Sequence, residues 1–477
     1  MSAAAGGALL IALAACAPSA QLLKPDAGPL PPALAAQLPS ATTIDASQVH
    51  WRNYFKDPRL LALIEAALTH NRDLRVAAAR VEEARAQWAM VRAERLPNLQ
   101  FLGQGRLDRS YAPGIGTGPE RRLDMALSAV GFELDFFGRL ANLSAAARAQ
   151  FLATEEARRA TELALVAQVA ELYHTQRQTE ELLQRARSQV ASRTQSLEIL
   201  TRARDTGLVH ELELEQAHVQ LEAARAQRAQ LGHLQNQTDG LMRLLVGRMP
   251  EQLVPGLPLY DLPSSHVPPL NLSADVLLLR PDVVAAEHRL SAAQANVLAA
   301  RAAFFPRISL TASLGTASSG LADLFRAGAW VFQPTLSLPL FDGGRTQAGF
   351  DLAKAREMAV VAQYEHTVQQ AFRDVADQLS ARDSLAAQMR AADRMLAAQR
   401  ARLAIHRQRH AAGMSGLLEV LDAEREMMAA EQNHVVLFRA QLDAAVGLYK
   451  ALGGGAPPRA GATKPTALAN GVISDGS

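Results

Sequence analysis

The sequence holds a single cysteine, Cys16, in 477 residues, so it can build neither a disulfide framework nor a thiolate metal centre. Aromatic residues supply only 5% of the chain against 49% hydrophobic residues in all, so the apolar mass is small and aliphatic. Alanine interspersed with Leu, Glu, Gln and Arg favours long, closely packed helices, because alanine loses no side-chain entropy on entering one. A surplus of one charge is lacking too: 49 basic residues stand against 47 acidic ones, a formal +2, which leaves no field to recruit nucleic acid. No nucleophile motif and no zinc-protease HExxH is present, and His406 and His410, one helical turn apart, have no third ligand nearby. The chain is therefore predicted to be no enzyme and to need no metal or cofactor.

What is present starts with an apolar run from near Ala8 to Cys16, too short to span a bilayer as a helix. Small residues before the cut mark residues 1–15 as a secretory signal. The tetrad Leu13-Ala14-Ala15-Cys16 resembles the bacterial lipobox. That resemblance implies lipidation of Cys16, with 16–50 as the linker behind the anchor.

Beyond the linker the chain is two copies of one unit, 51–260 and 261–455, followed by an expected flexible tail over 456–477. Asp73 matches Asp282, Arg80 matches Arg289 and Pro97 matches Pro306, all 209 residues apart. Farther on the spacing is 206, with Glu171 on Asp377, Gly207 on Gly413 and Gly247 on Gly453. Copy one reads as helices over 59–95, strands over 97–109 and 125–137, and a helical hairpin over 139–247. Copy two reads as a helix over 282–303, strands over 306–316 and 329–341, and a hairpin over 346–452. In the strands, apolar residues such as Leu99, Phe101, Leu310 and Leu314 alternate with Gln100, Gln104, Ser309 and Ser313, the pattern of a two-faced sheet. In the hairpins, Leu163, Val166, Ala170 and Tyr173 recur at the spacing of a coiled-coil seam. Helices of that length exceed the roughly dozen residues usual in a compact domain.

Four amphipathic strands cannot close a membrane barrel alone, since open edges leave backbone groups unpaired in lipid. Several chains must then share one barrel, and a shared barrel continued by long helices is a conduit. A tether between envelope layers is the rival reading, and it has no use for such strands.

Four segments carry a family resemblance: Trp51 to Arg75, Leu279 to Leu310, LEVLDAER from Leu418 to Arg425, and YKALGGG from Tyr449 to Gly455. From Cys16 to Gly455 the chain resembles the outer-membrane factors of tripartite efflux systems, the TolC and OprM type, in their lipoprotein branch. The resemblance implies a mostly α-helical fold with membrane β-structure. It implies a homotrimer with a 12-stranded barrel in outer-membrane lipid, four strands per chain, running into a periplasmic α-helical barrel. It implies as partners a periplasmic adaptor and an inner-membrane pump of the RND type, with small toxic molecules as cargo; a type I duct for proteins is the variant within the family. It places the periplasmic gate at Leu418, Glu419, Asp422 and Arg425. The adaptor-contacting tips fall at Arg204, Gly207 and Leu208 in the first hairpin and at Gly413, Met414 and Leu417 in the second.

Overall fold

A computed structural model describes residues 50–108, 111–112, 115–116, 120–207, 209–263, 275–326 and 328–454. The signal segment, Cys16, the linker up to Val49, Leu208 and the expected tail lie outside the described residues. The first copy holds α1 (Trp51–Tyr54), α2 (Pro58–His70), α3 (Arg72–Ala93), β1 (Leu99–Asp108), β4 (Glu120–Glu133), α4 (Arg139–Asp205) and α5 (Glu211–Val246). Between β1 and β4 lies a small ribbon of β2 (Tyr111–Ala112) and β3 (Ile115–Gly116). The second copy holds α6 (Asp275–Leu278), α7 (Pro281–Ala302), β5 (Arg307–Ser318), β6 (Gly328–Ser337), α8 (Arg345–Ala411) and α9 (Leu417–Ala451).

Both spacings read from the sequence recur in the elements. Helices α3 and α7 begin and end 209 residues apart, and α4 and α8, each of 67 residues, begin and end 206 apart. Three glycine pairs at the 206 spacing share a positive φ: Gly138 with Gly344, Gly207 with Gly413, and Gly247 with Gly453. At a rise of about 1.5 Å per residue, α4 and α8 are each about 100 Å long. Among the described residues no helix is long and apolar enough to cross a membrane.

Chain compaction does not follow the copies. One compact unit comprises, among the described residues, Asp73–Arg159 and Asp282–Gln370; the other comprises 50–72, Ala160–Pro281 and 371–454. Each unit therefore draws on both copies.

The first unit contains a four-stranded antiparallel sheet in the order β1-β4-β5-β6. Its register puts Phe101, Leu127, Leu314 and Trp330 in one row across all four strands, and Leu99, Ala129, Ala312 and Phe332 in another. The opposite face carries Gln100, Ser128 and Ser313 in one row and Gln104, Asp124 and Ala317 in another. Phe101 is 71% exposed and Trp330 74%, so the apolar rows stand uncovered.

Alternation alone would set Phe132 on the polar face, since it shares parity with Ser128. Between Ala129 and Phe132 two β4 residues oppose Thr311, a β-bulge. Gly131 adopts φ +65 there and donates its N–H to the Thr311 hydroxyl at 3.1 Å. The extra residue returns Phe132 to the apolar face, paired with Leu310, and Glu133 to the polar one, paired with Ser309.

Strand ends differ from the sequence reading. β4 starts at Glu120 rather than 125 and stops at Glu133 rather than 137. Asp135 is drawn off to cap α4, accepting from the amides of Leu140 at 3.1 Å and Ala141 at 2.6 Å, while Arg139 clamps Glu133 through two bonds. β6 stops at Ser337 rather than 341, just before Pro339, which has no N–H for a ladder. Asp342 then accepts from the amides of Gly344 and Thr346. Bonds from the hydroxyl and amide of Thr346 hold its carboxyl below the usual range.

The second unit is organised by a buried carboxylate. Asp57 caps α2 by accepting from the amides of Arg59 and Leu60, with Pro58 at the first helical position. Its other oxygen accepts from the Tyr173 hydroxyl on α4 and the Leu257 amide of the inter-repeat linker, both at 2.8 Å. Close by, Tyr54 donates to the Ala445 carbonyl at 2.7 Å, and its ring lies 4.9 Å from that of Tyr449. Burial pushes the hydroxyls of Tyr54, Tyr173 and Tyr449 well above the usual phenol range, so they remain donors.

Candidate gate and helical seam

Both tips are turned by a glycine. Gly207 donates its N–H to the Arg204 carbonyl at 2.8 Å with φ +76, and Gly413 donates to His410 at 2.9 Å with φ +71. Met414 then donates to the Arg409 carbonyl at 2.9 Å, which closes a Schellman-type end on α8. His410 Nδ1 lies 3.0 Å from the Ser415 carbonyl and so ties the last turn of α8 to the tip. Arg204 pairs with Asp205 at 2.7 Å, Met414 is exposed and Leu417 half-buried. Leu208 lies outside the described residues.

The first turns of α9 divide into two faces. Val420 and Ala423 are buried against Leu403 of α8, with Met427 packed beside them. Leu418, Asp422 and Arg425, spaced four and three apart, lie on the exposed side. Asp422 and Arg425 meet at 2.8 Å, and Arg402 of α8 reaches the other Asp422 oxygen at 3.2 Å. Glu419 stands 3.2 Å from His406, while Leu418 joins none of these ionic contacts.

Deeper in the wall a polar seam joins α4 to the second hairpin. Glu424 of α9 sits between Arg193 of α4 at 2.6 Å and Arg407 of α8 at 2.7 Å. Two turns away, Glu431 sits between Arg185 of α4 at 3.0 Å and Arg400 of α8 at 3.4 Å. A cavity of about 420 Å³ runs alongside, lined by both of these carboxylates and by Gln184, Gln189 and Gln227. The seam continues to His174, 3.0 Å from Asp443, and to Arg439, which donates to the Thr175 hydroxyl at 3.0 Å. Partly buried ion pairs of this kind hold position, since removing one member strands the other in a poorly solvated site.

These residues line a wall and set its packing; they do not converge on a reacting atom. Comparison with known proteins decides the rest. Residues 63–248 and 272–454 match the family model described as outer membrane efflux protein. The chain belongs to that family. It is an efflux channel of the outer membrane, 40% identical over 410 residues to the solvent efflux pump outer membrane protein SrpC of Pseudomonas putida, covering 85% of this chain and 87% of that one. It is 41% identical over 410 residues to the cation efflux system protein CusC of Escherichia coli K12, covering 85% and 88%. The open-state MtrE outer membrane channel of Neisseria gonorrhoeae superposes with a TM-score of 0.79 at 36% identity, covering 88% of this chain and 94% of that one.

Two features of this efflux channel escape the sequence. The seam pairs residues more than 200 positions apart, and neither helix shows which acid faces which base. The joints that end each hairpin also went unread. Asn71 donates to the Leu245 carbonyl at the end of α5 at 2.8 Å. Its counterpart Arg280 donates to the Ala451 carbonyl at the end of α9 at 3.1 Å and reaches Asp374 at 3.0 Å. The repeat spacing was the available signal, since it pairs 71 with 280 and 245 with 451.

Proposed function

We propose that three copies of the chain close one 12-stranded barrel in the outer membrane and continue as a helical duct into the periplasm. One observation carries this reading: a four-stranded sheet with exposed apolar rows on one face, whose edge strands, β1 and β6, pair on one side only among the described residues. Strands of 10 to 14 residues are long enough, at about 3.3 Å per residue, to cross the hydrocarbon layer at a tilt. In water the bare rows would aggregate; in lipid they are solvated, and each open edge finds a partner on the next copy. The lipobox-like tetrad ending at Cys16 and the family support Cys16 as a lipidated anchor. Membership in the family supports the two tips as the docking surface for a periplasmic adaptor, and an inner-membrane pump as the source of energy.

The gate belongs to Leu418, Glu419, Asp422 and Arg425, repeated around the threefold axis. The duct conducts small molecules passively. Relatives of near-equal similarity serve, by their names, a solvent system and a cation system. This supports a duct whose cargo is chosen by the pump. Detergent extraction of outer-membrane fractions should give a heat-sensitive trimer band on a gel; a protein soluble without detergent after signal removal would overturn the barrel. Cys16→Ser should abolish labelling by radioactive palmitate, and persistent label would move the anchor elsewhere.

A further inference from the structure

The inter-repeat linker does more than join the copies. Its short turn over Leu259–Asp261 is anchored by the buried side chains of Leu259 and Leu262, and Tyr260 between them reaches the second hairpin. The Tyr260 ring lies 5.0 Å from that of Phe438 on α9, and its hydroxyl stands 3.1 Å from His434 Nδ1. The other ring nitrogen of His434 stands 2.9 Å from Asp393 on α8. A carboxylate only accepts, so Nε2 carries a proton, and the tautomer with that proton alone leaves Nδ1 to accept from the tyrosine. One relay thus crosses linker, α9 and α8.

We propose that Tyr260, His434 and Asp393 form a strap by which the linker holds the gate-bearing hairpin in its closed packing; the proposal rests on the gate reading above. Three observations carry it. First, the relay borders a cavity of about 340 Å³ shared with Arg185, Arg400 and Glu431, so strap and seam meet at one level of the hairpin. Second, His434 follows Asp422 on the same continuous helix, 12 residues farther from the tip, or about 18 Å. A change of packing at the strap is therefore carried to the gate. Third, the first hairpin carries other residue types at the corresponding positions. At the 206 spacing Asp393 corresponds to Arg187, His434 to Arg228 and Phe438 to Gly232. The relay is peculiar to the copy that bears the gate. Burial raises the Tyr260 phenol above its ordinary range, which keeps the hydroxyl a donor.

These are positioning residues, and their test separates hydrogen bonding from packing. In planar bilayers with the purified, detergent-extracted full chain, Tyr260→Phe keeps the ring against Phe438 and loses only the hydroxyl. Loss of one hydrogen bond from the closed state should raise the open population about three- to tenfold, with the heat stability of the trimer band unchanged. His434→Ala should behave likewise. His434→Gln, whose carboxamide can donate to Asp393 and accept from Tyr260, should restore wild-type conductance. Unchanged conductance in Tyr260→Phe, alongside a rise in the Asp422→Ala/Arg425→Ala double variant, overturns the strap and leaves the gate standing. An equal rise in His434→Gln overturns the relay as well, since packing alone would then be at work. If neither Tyr260→Phe nor the double variant opens the duct, gate and strap fall together.

Discussion

The two helical hairpins share one plan and differ in what they bind. α4 and α8 have the same length and turn at equivalent glycines, and each hairpin ends where a side chain bonds a last carbonyl, Asn71 at α5 and Arg280 at α9. Yet Asp422 and Arg425 answer to Gln216 and Val219 in the first hairpin, Glu424 to His218, and Glu431 to Arg225. The glycines that turn each hairpin are kept in both copies, whereas the acids that fasten one hairpin to the other, Glu424, Glu431 and Asp443, belong to the second and face Arg193, Arg185 and His174 of the first. Shape is the shared inheritance here; attachment is where the copies have parted.

The largest test of that contrast lies at the joints. Arg280→Ala removes charged hydrogen bonds to the end of α9 and frees Asp374, and should cost about 2–4 kcal/mol. Asn71→Ala removes a neutral bond to the end of α5 and should cost about 1 kcal/mol. Thermal unfolding of the extracted trimer measures both, and equal losses would break the distinction between the copies. Next come the seam carboxylates. Glu424→Gln leaves the largely buried Arg193 facing Arg407 without an acid between them, and Glu431→Gln removes the acid between Arg185 and Arg400, where Arg185 keeps Glu181 at 2.8 Å. Each should cost this packing up to about 1.5–3 kcal/mol and, on the proposed gate, raise single-channel conductance. Glu222→Gln, which loosens only an exposed pair with Arg225 in the first hairpin, should leave conductance alone. The smallest effect belongs to the gate ions. The Asp422–Arg425 pair is solvent-accessible and worth about 0–1 kcal/mol per chain. The double alanine variant should raise conductance modestly, and Gln216→Ala not at all. A larger rise from the double variant than from Glu424→Gln would return the lock to the tip.

Most of the architecture was legible because it rests on spacing. A repeat offset, a two-residue alternation and a coiled-coil spacing are one-dimensional signals, and the elements fall on them. The strand ends were misjudged where a side chain overrode the pattern: Asp135 sits among apolar residues that suit a strand, but its two oxygens are spent on the start of α4. Leu418, Asp422 and Arg425 could be placed on one helix face from spacing, and the structure sets them on the exposed side of α9. The partners of Glu424 and Glu431 could not be read, because a heptad pattern fixes which face is buried and says nothing of which distant arginine will face it. Asp57 followed by Pro58 carries a helix-start signature; that the same carboxylate would also gather Tyr173 and Leu257 is written in no local pattern.

The bulge at Gly131 has a consequence for how such a chain can change. Within a strand that shows one side to oil, substitutions are judged one at a time, but adding or losing a single residue reassigns every neighbour beyond it. Shortening β4 by one at this point would offer the Glu133 carboxylate to lipid and turn Phe132 toward the water-filled side, whatever the composition of the strand. Length is therefore the guarded quantity there. The three residues by which the copies differ fall between Pro97 and Gly138, a stretch that also holds the β1–β4 connection, where an odd count can be absorbed without disturbing any wall.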